Sequence, residues 1–298
     1  MKKILMMMAL VATALFVITA CDKNDDDDNG GNTSEYSNAV TLTAPPYKDV
    51  AKVFNITGAN SQRITQLRIM ESGAFMIARE PETAARTRGG VEDWLYEFGK
   101  FTYTDGKFVF DNGMTISFEP SGQGYEITIT WKNGTTITTT GIIDTSSSVT
   151  SGVITDNLCS HAWTIERMIA KGNLGGTATP GVEFKGPINL AVVKEWYEKN
   201  FGTLQDQFDA SAIIEGIFFD AQGLFAINYK NRKDDVGVWR WTNMNDGKLV
   251  YNWNNKTQAI SLFTGNAAVG FKKNPDSCKL TLSGTVNGVA LEFVFYLK

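Results

Sequence analysis

The sequence predicts an all-β protein: two up-and-down antiparallel β-barrels in tandem, with one helical insertion in the second. Three observations point there. From Val40 onward apolar residues mostly alternate with a period of two, as half-buried strands require. The alternating stretches are punctuated by Gly-containing turns, Asp111-Asn112-Gly113, Asn133-Gly134 and Asn287-Gly288. Finally, the pattern repeats. Gly73-Ala74-Phe75 matches Gly223-Leu224-Phe225, each with an aliphatic residue six positions earlier, Leu67 and Ile217. Asp105-Gly106-Lys107-Phe108-Val109-Phe110 likewise matches Asp246-Gly247-Lys248-Leu249-Val250-Tyr251.

The first element is not part of the body. Met1-Lys2-Lys3 is a basic head, and Ile4–Ala20 is apolar except for Thr13 and Thr19. Those 17 residues have the length of a signal-peptide core. Ile18-Thr19-Ala20-Cys21 resembles the bacterial lipobox. The resemblance implies cleavage after residue 20, lipidation of Cys21, and the lipid bilayer as a partner through N-terminal acyl chains. Residues 21–38 then read as an acidic flexible tether, because Asp25-Asp26-Asp27-Asp28 repels itself and Asn, Gly and Ser follow. An acidic run just after a lipidated Cys resembles the surface-export signal of lipoproteins in certain Gram-negative gut anaerobes. It implies an outer-membrane protein facing outward, with the periplasm-facing side as second choice.

Charge agrees with this division. Without Lys2 and Lys3 the chain holds 26 basic against 32 acidic residues, and residues 22–38 alone carry a balance of −5. A nearly neutral body has no field to attract a phosphate backbone, so nucleic acid is excluded as a partner.

The first β-barrel-like domain is placed at 39–143. A three-residue turn at Lys132-Asn133-Gly134 sets Ile129 opposite Ile137, whereas a two-residue turn would swap faces. The same argument at Asp111-Asn112-Gly113 pairs Phe110 with Met114 and Phe108 with Ile116. Glu119–Gly124 reads as a longer loop, and Arg79–Gly90 as a long exposed one. Residues 144–157, rich in Ser and Thr, read as a linker. The second domain, 158–298, carries the helix: Leu190, Val193, Tyr197 and Phe201 recur at helical spacing before Gly202. Its last two strands meet at Asn287-Gly288, pairing Val286 with Val289, Leu282 with Phe293 and Leu280 with Phe295.

With Trp163 in His161-Ala162-Trp163-Thr164-Ile165-Glu166 as the first-strand Trp, the chain resembles the lipocalin-like domains of bacterial surface lipoproteins. His161 stands where that pattern has Gly, and Phe54 is the nearest counterpart in the first copy. The resemblance implies an up-and-down barrel with an interior able to hold a small ligand.

The chemistry the residues offer is narrow. A single His cannot build a three-His zinc site or a two-His metal triad, and no motif supports an enzyme such as a two-carboxylate glycosidase, so no metal, cofactor or catalytic residue is expected and the chain is read as no enzyme. Glu195 and Glu198 lie one turn apart, the ordinary pattern of a solvated helix face. Cys159 and Cys278 form either a disulfide closing the second domain or two buried thiols. The strongest constellation is aromatic. Pairing Trp239 with Trp253 and Trp241 with Tyr251 would stack four rings on one face, flanked by Arg240, Asn243, Asn252 and Asn254. The expected function is a surface-anchored, non-enzymatic binding module for a glycan or a small apolar ligand. The alternative is a structural or adhesive surface protein without a pocket.

Overall fold

A computed structural model describes residues 35–298 apart from 45, 49, 81–94, 105, 106, 147, 148, 205–209, 233 and 254–264. The signal segment, Cys21 and most of the tether therefore lie outside the described residues, as does most of the loop expected over Arg79–Gly90.

Eight strands make the first barrel: β1 (Lys52–Ile56), β2 (Ile64–Ile69), β3 (Ala74–Arg79), β4 (Leu95–Thr104), β5 (Lys107–Phe110), β6 (Thr115–Ser121), β7 (Gly124–Thr130) and β8 (Thr136–Ile143). Each pairs with the next, and β8 returns to β1, so the sheet closes. The turns set the register as expected. Ile129 faces Ile137, and Phe108 faces Ile116. Gly113 and Gly134 hold φ of 78° and 83°, the left-handed backbone those three-residue turns need. The span Glu119–Gly124 is a correction. It is strand, not loop: Pro120 pairs with Tyr125 and Ser121 with Gly124, leaving Gly122-Gln123 as the turn. Residues 119–123 are all exposed, so no inward apolar residue marks the strand in the sequence.

The second barrel contains β9 (Trp163–Leu174), β13 (Ile213–Phe219), β14 (Leu224–Tyr229), β15 (Asp235–Asn243), β16 (Lys248–Trp253), β17 (Gly265–Lys272), β18 (Ser277–Val286) and β19 (Val289–Leu297). Neighbours pair in chain order from β13 to β19, β19 pairs with β9, and β9 meets β13 through Trp163↔Ile217 and Thr164↔Gly216. The expected register of the last hairpin is found. Beyond Thr164, β9 parts from β13. Its edge is taken by β10 (Thr177–Ala178) and β11 (Val182–Lys185), while β12 (Ile188–Asn189) pairs with β13.

The repeat is visible residue by residue. Leu67 faces Ile77 and Ile69 faces Phe75; 150 positions on, Ile217 faces Ile227 and Phe219 faces Phe225. Phe54 pairs with Leu67 as Trp163 pairs with Ile217, so Phe54 stands in the place of that tryptophan.

Helices plug the second barrel. The expected helix is α2 (Leu190–Phe201), started by Asn189, whose side chain accepts the Ala191 N–H at 2.9 Å. It buries Leu190, Val193, Trp196 and Tyr197 at one end of the barrel, where the Tyr197 hydroxyl donates to the Val286 carbonyl. A second helix, α1 (Val153–Cys159), corrects the linker reading of 144–157. At seven residues it is too short for the sequence to display a helical period. It closes the opposite end, where Leu158 is fully buried and its carbonyl accepts the Trp163 indole N–H.

The boundary between tether and first barrel also needs correction. Ser37 makes a two-way backbone bridge with Phe271 of β17, at 2.7 and 3.1 Å. The Asn157 side chain clamps the next residues, accepting from Leu42 N–H and donating to Val40 C=O. Asp276 accepts the Thr43 N–H. Residues 35–43 are thus a strap on the second barrel, laid down before the chain starts the first.

The barrels touch through equivalent hairpins. The outward faces of β2–β3 and β13–β14 bury Met70, Ala74, Met76 and Ala78 with Phe218 and Ala226. Inside this seam Arg68 donates to Asp220, and both side chains are more than nine-tenths buried. Burial raises the Asp220 carboxyl above its ordinary range, opposed by Arg68 and by the N–H groups of Leu224 and Gln222. Asp220 stands 150 positions after Met70, and Phe218 150 after Arg68, so the seam is built from equivalent positions of the two copies. Removing one charge strands the other. Arg68→Met is expected to cost about 3–5 kcal/mol, and the Arg68→Met/Asp220→Leu double variant distinctly less than the sum of the single ones. Urea denaturation of the four proteins checks this.

Candidate functional site

The candidate site was the aromatic face of β15 and β16, and its register differs from the expected one. Trp239 pairs with Tyr251, Trp241 with Leu249, and Trp253 with Gly237. The slip of two residues comes from a longer turn at 244–247 and an irregularity between Trp241 and Asn243. Trp239 and Tyr251 still share a face, but that face is the barrel interior, where they are only 3% and 5% exposed. The Trp253 side chain lies outside the described part. Arg240 and Asn243 are exposed, pointing away from the aromatics, while the side chains of Asn252 and Asn254 lie outside the described part.

The two described indole N–H groups are already committed. Trp239 donates to the Asp220 carbonyl at 3.1 Å and packs edge-on against Phe219 and Trp241. Trp241 donates to the Thr155 hydroxyl of α1 at 2.8 Å. The first barrel repeats the arrangement without a tryptophan: Phe101 faces Phe110 and Tyr103 faces Phe108. Trp239 N–H reaches the Gly223 carbonyl just as Phe101 N–H reaches that of Gly73, so the positions are equivalent. Aromatics recurring at equivalent inward positions of both barrels are packing residues first.

Packing leaves little space. In the first barrel, Phe54, Phe75, Phe101, Phe108, Phe110 and the Ile side chains around them fill the interior, with Phe54 stacked on Phe118 at 4.6 Å. The second barrel keeps a void, lined by Ile217, Phe219, Phe225, Ile227, Leu249, Tyr251, Ala267, Leu280 and Leu282. The centre of a water-sized sphere can occupy about 20 Å³ of it. That is room for roughly one water molecule, and the lining is apolar apart from the Tyr251 hydroxyl. Burial raises the Tyr251 phenol far above its ordinary range.

The remaining candidates resolve as follows. Cys159 and Cys278 are free, buried thiols and not a disulfide, and burial raises both well above the ordinary thiol range. A thiol so raised is inert as a nucleophile. His161 stacks on Trp163 at 4.6 Å, its Nδ1 lies 2.7 Å from Ser160 Oγ, and its Nε2 lies 3.8 Å from Asp276. The order resembles a nucleophilic relay but cannot run as one. Ser160 is buried and its hydroxyl donates to the Asn157 carbonyl. Among the described residues no three acidic, Cys or His side chains gather to hold a metal. Glu198 pairs with Lys194 on the outer face of α2, as a solvated helix does.

What the sequence reading missed lies elsewhere. At one end of the first barrel, Trp131, Arg79, Glu97 and Asn112 converge from four separate segments. No spacing in the chain announces such a convergence. Comparison of the chain with protein-family models, with curated proteins and with solved structures finds no match.

Two measurements test this account. A Cys21→Ser chain is expected to expose no thiol to a disulfide reagent while folded, and two when denatured. His161 is held below its ordinary value of 6.5, by burial first, with Asp276 acting against it. The folded state therefore prefers the neutral ring. Below pH 6.5 the unfolded chain binds a proton that the folded one does not, so stability falls as pH drops from 6.5 to the lower folded value. Because the chain has one His, its ring resonances titrate without overlap. His161→Gln is expected to flatten the loss of melting temperature between about pH 7 and 5.5.

Proposed function

We propose that the chain is a surface-anchored, non-enzymatic lipoprotein that works by contact through its outside, as a structural or adhesive protein. One observation carries the reading: both barrel interiors are filled by their own side chains, and the second is stoppered at each end by a helix. An eight-stranded barrel is just wide enough for side chains to fill, so a ligand-binding version has to leave some of them small. Here the inward positions carry Phe, Trp, Tyr and Ile instead. The anchor is Cys21, the tether runs to the strap at residues 35–43, and the outward-facing outer-membrane location follows from the acidic run. A second reading, a small apolar ligand within the second barrel, draws on the void beside Tyr251 and requires its neighbours to move.

The test is made on cells. Labelled palmitate is expected to enter the wild-type protein and not a Cys21→Ser variant, and a membrane-impermeant reagent to label the protein on intact cells. Deleting the gene is expected to reduce adhesion of those cells to a mucin-coated surface. A variant that stays membrane-bound without Cys21, labelling only after lysis, or undiminished adhesion would each defeat the proposal. Tight binding of an apolar fluorophore, lost on Leu249→Trp, would favour the second reading.

A further inference from the structure

We infer that the end of the first barrel around Trp131 is a binding site for a neutral glycan, a pyranose stacking on the indole and hydrogen-bonding to the polar groups beside it. This rests on the contact reading above and names where the contact is made.

The argument begins with the tryptophans. Of the five whose side chains are described, Trp163 and Trp239 are buried and donate to carbonyls, and Trp241 donates to Thr155. Trp196 is buried edge-on among Phe184, Phe201 and Phe293. Trp131 alone among them is partly exposed with its indole N–H uncommitted to any described group. It stands at the turn between β7 and β8, anchored by its own backbone N–H to Thr135 at 2.9 Å and packed on the barrel core beneath. It is therefore a rigid aromatic with an available donor.

Its surroundings are ordered polar groups. The Arg79 guanidinium lies over the Trp131 ring, 5.7 Å from its centre. Arg79 is itself fixed, donating to Glu97 at 2.8 Å and to the Gln62 carbonyl at 3.2 Å. The other Glu97 oxygen accepts from the Asn112 amide at 2.9 Å. Each carboxylate oxygen keeps a further lone pair, and Asn112 is exposed. A stacking face, a carboxylate, an amide and a held guanidinium are the groups that recognise vicinal hydroxyls around an apolar sugar face. Among the described residues the charges offset: Arg79 pairs with Glu97, and Lys132 and Asp111 on the two adjoining turns carry opposite signs. These groups call for no anionic ligand, so the ligand class is a neutral glycan. Carbohydrate contact needs no moving part here, since all the groups stand on strand ends and tight turns.

The probe is a glycan array carrying neutral hexose oligosaccharides beside sialylated and uronic-acid glycans, read with the full chain in detergent. Neutral oligosaccharides are expected to bind. Trp131→Ala should weaken them at least about tenfold, Trp131→Phe less, and Val109→Ala on the outer wall not at all. Glu97→Gln is the second variant, in case Trp131→Ala melts early; it keeps the shape and is expected to lower affinity. Binding confined to acidic glycans, binding indifferent to both site variants, or no glycan bound would each overturn the site. The adhesion assay on intact cells stands apart from this outcome. Adhesion retained by Trp131→Ala cells removes the site but leaves the contact reading, whereas adhesion unaffected by deletion removes the reading itself.

Discussion

Closing a sheet of eight strands fixes the width of the space inside it, and nearly everything else in this molecule follows from how that space is filled. Every second residue of every strand must point inward, and the ring is narrow enough that large side chains meet across it. In the first barrel a run of phenylalanines meets the requirement. Phe75 packs edge-on to Phe110, and Phe101 to Phe108, with ring centres 4.6 and 5.3 Å apart. In the second, wider mouths are left where β9 parts from β13, and helices are drafted in to close them. The aromatic wealth of the sequence is thereby spent on the inside. What stays outside among the described residues is largely hydroxyl and charge, with Trp131 as a partly exposed aromatic among them.

Where a turn dictated register, the sequence could be read to the residue. Asn287-Gly288, Lys132-Asn133-Gly134 and Asp111-Asn112-Gly113 each admit one backbone geometry that also keeps apolar residues on one face. Two constraints that agree leave a single answer. The β15–β16 hairpin lacked that agreement. Its turn at 244–247 has no short Asn-Gly signature, and aromatics at 239, 241, 251 and 253 satisfy the alternation in either register. Faces are preserved by a slip of two, so parity was legible and partner was not. Helix α1 and the strap failed differently. Seven residues carry no period, and a chain segment that pairs with a strand more than 200 positions away leaves no local trace.

The candidate site shows the same limit. Inward aromatics and ligand-binding aromatics have one sequence signature, because both are large, apolar and periodic. Only the partners of their polar atoms tell them apart. Trp239 and Trp241 have theirs inside the protein, and Trp131, which no pattern singled out, has none among the described residues. The seam between the barrels adds a related lesson. The repeat was legible as similar turns, but the two copies of that hairpin lean on each other. Where one copy carries Met70 the other carries Asp220, and that difference supplies the partner for Arg68.

The strap gives the chain an order of attachment that runs against its order of sequence. Residues 37–43 are stitched to β17, to α1 and to the β17–β18 turn before a residue of the first barrel is reached. A pull delivered from the N-terminal side would therefore be taken up by the second barrel, as shear along the Ser37–Phe271 bridge and the Asn157 clamp. The first barrel follows these stitches in the chain and is held to the second by the seam around Arg68 and Asp220. The two copies of one fold thus differ in how the chain enters them, a difference that no comparison of their strands would reveal.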